Sequence, residues 1–426
     1  MTPTRRPAVT ERAALVGLIT GPIRRLEAER SLDELAGLAR AAGAEVVLRM
    51  LQERDRPDPA TFLGKGKLEV LEAACEETEA NLVLFDNELS PGQLRQIEAR
   101  LGRKILDRTQ LILDIFARRA RTREGKLQVE LAQLKYLLPR LVGASEWLSR
   151  LGGGIGTRGP GETKLEVDRR KIRQRISSVS REIEEVRRRR MQLRERRQKA
   201  SVPTVALVGY TNAGKTTLFN LLAGESAVAS DALFVTLDPL VRRVKLADRR
   251  ELLVSDTVGF IDRLPHTLVA AFRATLEEVT SADLLLHVID AAAPGVEHRI
   301  DAVRRTLEEV GASKVPSLEV YNKCDLLDEF ERQRIQRQEA LCISAATGDG
   351  RHELLDSMTT RLALDVHRVS LRLDPSDDGD RERLAQIYRY GRVLQHVEHD
   401  GRVSLEADLP RRLWTRMQQE AGKSDG

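Results

Sequence analysis

The chain of 426 residues is 41% hydrophobic, 32% charged and 4% aromatic, and it carries a formal net charge of +5. This length predicts two to four domains, and no apolar run in the sequence is long enough for a membrane-spanning helix. We interpret the apolar residues 13–23 as a core strand and not as a signal peptide, because charged residues follow where a cleavage site is required. Cys75, Cys324 and Cys342 lack metal or redox spacing and predict reduced thiols in a cytosolic protein.

Residues 1–110 alternate between strand-like and helix-like runs, which predicts a small α/β domain with a mostly parallel sheet. The predicted strands are 13–20, 44–51 and 82–86, and the predicted helices are 31–42, 66–79 and 90–101. Ser31 with Glu34 predicts a capping box, and Ser90 before Pro91 predicts another helix start. Residues 61–67 carry glycines and lysines together, and we favour a tight strand-to-helix turn over a second phosphate site.

Residues 111–200 predict a helical hairpin arm, because two apolar stripes with heptad-like spacing follow one another. The stripes are Leu127, Leu131, Leu134, Leu138 and Leu141, then Ile172, Ile176, Val179, Ile183, Val186 and Leu193. Six glycines fall between residues 152 and 161, so a glycine-rich loop at 151–164 separates the two predicted helices.

The second helix of the arm is strongly basic, with fourteen Lys or Arg and five Asp or Glu between residues 168 and 199. A solvated coiled-coil face is one interpretation, but such a face normally mixes both signs of charge. The excess of one sign favours contact with an RNA phosphate backbone. The candidate RNA contacts are Arg158, Lys164, Arg187, Arg188, Arg189 and Arg190.

Residues 209–216 read G-x-x-x-x-G-K-T between an apolar β-branched run at 202–208 and a predicted helix. This strand–loop–helix context is the one that a phosphate-binding loop requires. Its backbone N–H groups would point at phosphate oxygens, and the helix N-terminus would add partial positive charge. Lys215 would reach the β- and γ-phosphates, and the Thr216 hydroxyl would bind Mg²⁺.

Four further strands predict a doubly wound nucleotide domain over residues 201–365, with motifs at the carboxyl ends of the strands. The predicted strands are 251–255, 284–290, 315–321 and 341–343. Asp256 to Gly259 form a D-x-x-G, and Asn322 to Asp325 form an N-K-x-D. The Asp325 carboxylate can accept from guanine N1–H and its 2-amino group, which adenine does not offer, so the motif favours GTP. Lys323 would pack over the base, and Ser344 and Ala345 would turn a backbone N–H toward guanine O6.

Residues 366–426 predict a small α+β module with a hairpin at 399–401 and a final helix after Pro410. The predicted fold class is therefore α/β. A P-loop domain with a doubly wound, mostly parallel sheet follows a small α/β domain with a helical arm and precedes this module.

The chain resembles the HflX family of translation-factor-related GTPases over almost its whole length. Beyond the nucleotide motifs, the resemblance rests on residues 89–94, 107–109, 119–131 and 158–163, which read LSPGQL, DRT, RARTREGKLQVEL and RGPGET. It implies a cytoplasmic, ribosome-associated GTPase that binds the large subunit, directs its arm and glycine loop toward the peptidyl-transferase region, and splits stalled ribosomes.

The family's first switch contains T-L-D-P, which is residues 236–239 here, and the usual threonine after the proline is Leu240. The match implies that Thr236 binds Mg²⁺ and senses the γ-phosphate, with Thr216 and Asp256 as the other metal residues. Lys215, Thr236 and Gly259 are the expected catalytic residues. The predicted GTP contacts are Gly209, Tyr210, Thr211, Asn212, Ala213, Gly214, Lys215, Thr216, Thr217, Phe234, Val235, Thr236, Asp256, Thr257, Val258, Gly259, Asn322, Lys323, Asp325, Ser344, Ala345 and Ala346.

Phe260 stands where many GTPases carry the glutamine that orients the attacking water. We therefore expect slow intrinsic hydrolysis and an outside activator, the ribosome first and K⁺ second. Asn212 occupies the loop position that several glutamine-lacking GTPases use to hold K⁺, although it could equally brace the loop. The main hypothesis is a monomeric GTPase that splits or rescues ribosomes. The alternative is a nucleotide-gated RNA-binding chaperone for subunit assembly, in which hydrolysis is secondary.

Overall fold

The structure is a computed structural model. It describes residues 11–21, 25–141, 164–199, 202–224, 233–234, 236–246, 251–262, 273–336, 340–362, 364, 366–399, 401–411, 413–415 and 417–418. The chain forms two compact units. The first comprises Met1–Gln192, Val228–Pro239 and Thr257–Glu277, and the second Leu193–Ala227, Leu240–Asp256 and Glu278–Gly426. None of the helices in the described ranges is long and apolar enough to cross a membrane.

The first unit is built on a four-stranded parallel sheet. Its strands are β1 (Glu11–Ile19), β2 (Ala44–Glu53), β3 (Leu82–Phe85) and β4 (Lys104–Asp107), in the order β2-β1-β3-β4. The helices between and after them are α1 (Arg25–Ala41), α2 (Lys65–Glu77), α3 (Pro91–Leu101) and α4 (Arg108–Arg119). Buried strands with near-continuous apolar sequences are typical of a parallel sheet covered on both faces. The sequence analysis missed β4 and α4, which follow one another directly along the chain.

One predicted helix start in this unit is confirmed and another is wrong. The Ser90 side chain accepts from the Gln93 N–H, and the Gln93 side chain accepts from the Ser90 N–H. These two hydrogen bonds form a capping box. Ser31, by contrast, lies inside α1, and its hydroxyl donates to the Asp86 carboxylate at 2.6 Å. The tertiary partner therefore outweighed the local capping pattern.

The turn at residues 61–67 is closed by its own hydrogen bonds. The Asp58 carboxylate accepts from the Ala60 and Thr61 N–H groups, and the Gly64 N–H donates to Gln52. These contacts favour the interpretation as a strand-to-helix turn.

The arm is an antiparallel helix pair, which lies in the first unit up to Gln192. It comprises α5 (Arg123–Leu137), which runs into a 3₁₀ turn at Leu138–Leu141, and α6 (Lys164–Lys199). Arg175 pairs with Glu130 at 2.6 Å, and Arg190 pairs with Glu124 at 3.4 Å, so residue numbers rise along one helix as they fall along the other. The predicted glycine-rich loop lies outside the described residues.

The second unit contains a six-stranded sheet, with order β10-β9-β8-β5-β7-β6. Its strands are β5 (Thr204–Val208), β6 (Leu240–Lys245), β7 (Glu251–Asp256), β8 (Leu284–Asp290), β9 (Ser317–Asn322) and β10 (Leu341–Cys342). All neighbours are parallel except the edge strand β6, which the sequence analysis missed. The helices are α7 (Lys215–Ala223), α9 (Val296–Glu309), α10 (Glu329–Gln336) and α11 (Arg351–Arg361), while α8 (Arg273–Thr280) spans the division between units.

The carboxyl-terminal module is an antiparallel three-stranded sheet with order β11-β13-β12. It comprises β11 (Val366–Leu373), α12 (Asp378–Tyr390), β12 (Arg392–His399) and β13 (Arg402–Pro410), and helical residues follow Pro410. Gly401 has φ +73°, which suits the predicted tight hairpin between β12 and β13. The α/β fold class expected from the sequence is confirmed.

Candidate nucleotide site

The loop between β5 and α7 has the geometry of a phosphate cradle. Gly214 precedes the first turn of α7 with φ +90°, and a Cβ there would overlap the Asn322 amide. Gly209 has φ +152°, and a Cβ on it would overlap the Val288 carbonyl oxygen of β8. Both positions therefore require glycine, because the loop closes tightly against the ends of two strands.

Lys215 is folded back over this loop. Its ammonium group donates to the Gly209 carbonyl at 3.1 Å and to the Tyr210 carbonyl at 2.8 Å. Burial lowers the pKa of Lys215 to about 8, while the Asp256 carboxylate opposes the shift. A buried cation at the amino end of a helix is suited to an anionic ligand such as a polyphosphate.

Two oxygen groups that could bind a metal lie together, one in the first turn of α7 and the other at the carboxyl end of β7. The Thr216 hydroxyl donates to the Asp256 carboxylate at 2.8 Å, and Asp256 is fully buried at the end of β7. Hydroxyl and carboxylate oxygens are the ligands that Mg²⁺ prefers, and Mg²⁺ sites that also hold phosphates use few protein ligands. The donor set therefore fits the predicted metal.

Asn322 joins the phosphate loop to the loop after β10. Its amide donates to the Ala213 carbonyl at 2.8 Å, and its carbonyl accepts from the Ala345 N–H at 2.9 Å. Asn322 is only 2% exposed, so both bonds are shielded from water. The sequence placed Asn322 in a base-recognition motif, whereas the structure gives it this bracing role.

Lys323 and Asp325 diverge at the end of β9. Lys323 adopts φ +65° and pairs with the Asp290 carboxylate at 2.8 Å. Asp290 ends β8 beside this motif and was missed by the sequence analysis, although a carboxylate at the end of an apolar strand is a recognisable signal. Asp325 lies exposed in a short 3₁₀ turn, Cys324–Leu326, where its carboxylate is accessible to a base.

The Ser344 and Ala345 N–H groups, which were predicted to face guanine O6, both have partners within the protein. The Ser344 N–H donates to the Asp349 carbonyl, and the Ala345 N–H donates to Asn322. Both amides are thus used inside the protein to shape the loop. Of the three residues predicted to contact the base from this loop, Ser344 and Ala345 are buried and Ala346 is exposed.

The expectation of three reduced thiols is wrong. Cys324 and Cys342 form a disulfide, and only Cys75 is a free thiol, which is buried. The two cysteines are eighteen residues apart, but β9 and β10 are neighbours in the sheet and bring their Cα atoms to 6.2 Å. Sequence spacing alone does not reveal such a pairing.

The predicted switch residues belong to the first unit. Thr257, Val258, Gly259 and Phe260 follow β7 and are all buried, with Phe260 only 3% exposed. Thr236 and Phe234 lie in a second segment, and Val235 lies outside the described residues. Asn212 is exposed in the phosphate loop with φ +59°, a conformation that asparagine tolerates.

The candidate RNA-binding residues differ from one another in their surroundings. Arg188 and Arg189 are exposed, whereas Arg187 pairs with Glu277 at 2.9 Å and Arg190 pairs with Glu124. Arg158 and the Lys164 side chain lie outside the described residues. Arg188 shares one exposed face of α6 with three arginines that the sequence analysis did not single out: Arg170, Arg173 and Arg181.

The phosphate loop, the paired threonine and aspartate, and the exposed N-K-x-D aspartate define a P-loop GTP-binding protein. Residues 29–117 match the family "GTP-binding GTPase N-terminal", 119–197 match "GTP-binding GTPase Middle Region", and 204–323 match "50S ribosome-binding GTPase".

GTPase HflX of Caldanaerobacter subterraneus is 47% identical over 399 residues, which cover 94% of this chain and 91% of that protein. GTPase HflX of Escherichia coli is 48% identical over 391 residues, which cover 91% of each chain. The crystal structure of a GTP-binding protein from Sulfolobus solfataricus in complex with GDP is 24% identical with a TM-score of 0.45, covering 83% of this chain and 99% of that chain. The chain belongs to the HflX family of GTPases, and it hydrolyses GTP.

Proposed function

We propose that this GTPase binds the large ribosomal subunit through its basic arm in the GTP state and splits or rescues stalled ribosomes. The observation that carries the proposal is the exposed arginine row on α6. Positions 170, 173, 181 and 188 repeat at helical spacing, so the side chains share one face. The row extends for about 27 Å at 1.5 Å per residue, a length that suits several successive RNA phosphates. The family description of residues 204–323 supports the ribosome as partner.

In this proposal separate groups of residues bind the phosphates, the base and the metal. The N–H groups of the phosphate loop and Lys215 hold the phosphates, while Asp325 selects guanine. Thr216, Thr236 and Asp256 would hold Mg²⁺, which neutralises charge on the β- and γ-phosphates. Intrinsic turnover is slow, because Phe260 cannot orient water, and the ribosome is the main activator.

The test uses a variant in which the arginine row is neutralised. Arg170, Arg173, Arg181 and Arg188 are replaced together by Gln. We expect binding to large subunits to weaken at least tenfold and to become less dependent on salt, because fewer phosphates are neutralised. The control makes the same charge change at exposed sites elsewhere: Arg95, Lys314, Arg351 and Arg361.

Sedimentation with a non-hydrolysable GTP analogue separates the two functions. If the proposal holds, intact ribosomes shift to free subunits with the parent and the control variant, and not with the arginine-row variant. Equal binding by all three proteins across a salt titration would mean that the row is only a solvated helix face. Binding without any shift to subunits would favour the assembly-chaperone alternative.

A further inference from the structure

Switch I, defined here as residues 233–239, is held by the helices of the first unit. The Asp238 carboxylate accepts from the Arg121 and Thr122 N–H groups, both at 2.8 Å, and also from the Thr122 hydroxyl. Thr122 is the N-cap of α5, so the carboxylate lies at the positive end of the first arm helix. We call this set of contacts the Asp238 anchor.

Gly125 makes the Asp238 anchor possible. It lies in the first turn of α5, where a Cβ would overlap the Asp238 Oδ1 atom. Its N–H also donates to the Thr122 hydroxyl at 3.0 Å, which orients that hydroxyl toward the carboxylate. Glycine is unfavourable in a helix relative to alanine, and the close approach of Asp238 explains why it stands at this position.

A second contact holds the same segment from its other end. The Phe234 ring packs edge-on against Phe116 of α4, with centroids 4.7 Å apart and an interplanar angle of 77°. Phe234 has φ +57°, a conformation that a side chain larger than Asn adopts only where its surroundings hold it. Thr236 therefore lies between two anchored residues, Phe234 and Asp238.

We propose that Asp238 is a positioning residue for GTP hydrolysis, which ties the backbone around Thr236 to the amino end of the arm helix α5. The arm sequence at 119–131 and the switch sequence at 236–239 meet at this one point, where Asp238 accepts from Arg121 and Thr122. Any movement of α5 on binding a partner would move Thr236 with it. The inference rests on the proposed role of Thr236, because Asp238 is assigned an effect through that residue.

The test is single-turnover GTP hydrolysis by Gly125→Ala and Asp238→Ala. We expect each rate to fall about tenfold, because small misplacements of a catalytic group have effects of this size or larger. The Mg²⁺ concentration for half-maximal hydrolysis should rise, and GDP affinity should stay within twofold of the parent. Gly92→Ala, in the first turn of α3 with open space around it, is the matched control and should keep the parent rate.

The double variant decides whether the two residues act through the same contact. Removing the carboxylate also removes the overlap, so Gly125→Ala with Asp238→Ala should be no slower than Asp238→Ala alone. Alanine strengthens the helix, so a slower Gly125→Ala variant that melts no earlier than the parent cannot be explained by misfolding. Effects that add in the double variant, or rates unchanged or raised in both single variants, would overturn the proposal.

Thr236→Ala separates this inference from the proposed site. If Thr236→Ala slows hydrolysis while the Asp238 and Gly125 variants do not, the anchor is only structural. If Thr236→Ala itself leaves the rate and the Mg²⁺ dependence unchanged, the assigned role of Thr236 fails, and the anchor loses the residue through which it acts.

Discussion

Asn322 is the residue whose removal should most directly separate bracing from base recognition. Asn322→Ala leaves the Ala213 carbonyl and the Ala345 N–H without the partner that each has now. Ala213 is 0% exposed and Ala345 is 6% exposed, so water cannot readily replace the lost bonds. Each buried polar group left unsatisfied costs about 1–3 kcal/mol. We therefore expect the free energy of unfolding to fall by about 2–6 kcal/mol.

The measurement is denaturant unfolding of the full chain, together with GDP and GTP affinities. Because the brace holds the phosphate loop irrespective of the γ-phosphate, both affinities should fall by a similar factor. Asn322→Asp is a graded comparison, since it keeps an acceptor for Ala345 and loses the donor to Ala213. Asn81→Ala, which removes one exposed hydrogen bond to the Arg12 N–H, is the control and should cost about 1 kcal/mol or less. A loss below 1 kcal/mol in Asn322→Ala would refute the reasoning.

Three other predictions concern the same nucleotide domain and its switch. Asp325→Asn should weaken GTP binding by about 2–3 kcal/mol and improve binding of xanthosine triphosphate, measured by competition; an unchanged preference for GTP would contradict the assignment. Burial lowers the pKa of His287 from 6.5 to about 4. The neutral imidazole therefore contributes about 3 kcal/mol to the free energy of unfolding above pH 6.5, and this contribution is lost as the pH falls through 4. In His287→Leu the free energy of unfolding should depend less steeply on pH in acid. Phe260→Leu should hydrolyse GTP in a single turnover at a basal rate within roughly tenfold of the parent rate, in K⁺ and in Na⁺. Large subunits should stimulate the parent far more than K⁺ does. Fast basal turnover in Na⁺ alone would mean that the chain carries a complete catalytic site. We chose Leu because Phe260 is buried, and Ala would also create a cavity.

Sequence-local features were predicted well. The phosphate loop, the D-x-x-G and N-K-x-D motifs, and the strand β8 at 284–290 all depend on residues that are neighbours in the chain. An apolar β-branched run followed by glycines specifies a strand and a tight loop whatever the rest of the protein does. The nucleotide class followed from these features alone, because the chemistry of each motif is contained within it.

Contacts between distant segments had to come from the tertiary structure. Ser31 fits a capping pattern, yet its hydroxyl donates to Asp86, fifty-five residues away. The Cys324–Cys342 disulfide depends on which strands are neighbours in the sheet. The Ala345 N–H, expected at guanine O6, is held by Asn322.

The sequence by itself determined the class of the protein, its nucleotide and the basic character of its arm, since these follow from side-chain chemistry and local periodicity. The tertiary structure decided which of the arm's arginines are exposed and which are paired, as Arg188 and Arg187 illustrate. It also decided that Asp238 lies at the amino end of α5, 116 residues from Thr122 in the chain. A carboxylate has the same appearance in a sequence whether it binds metal, faces water or caps a distant helix, and only the packing of the two segments selects among these roles.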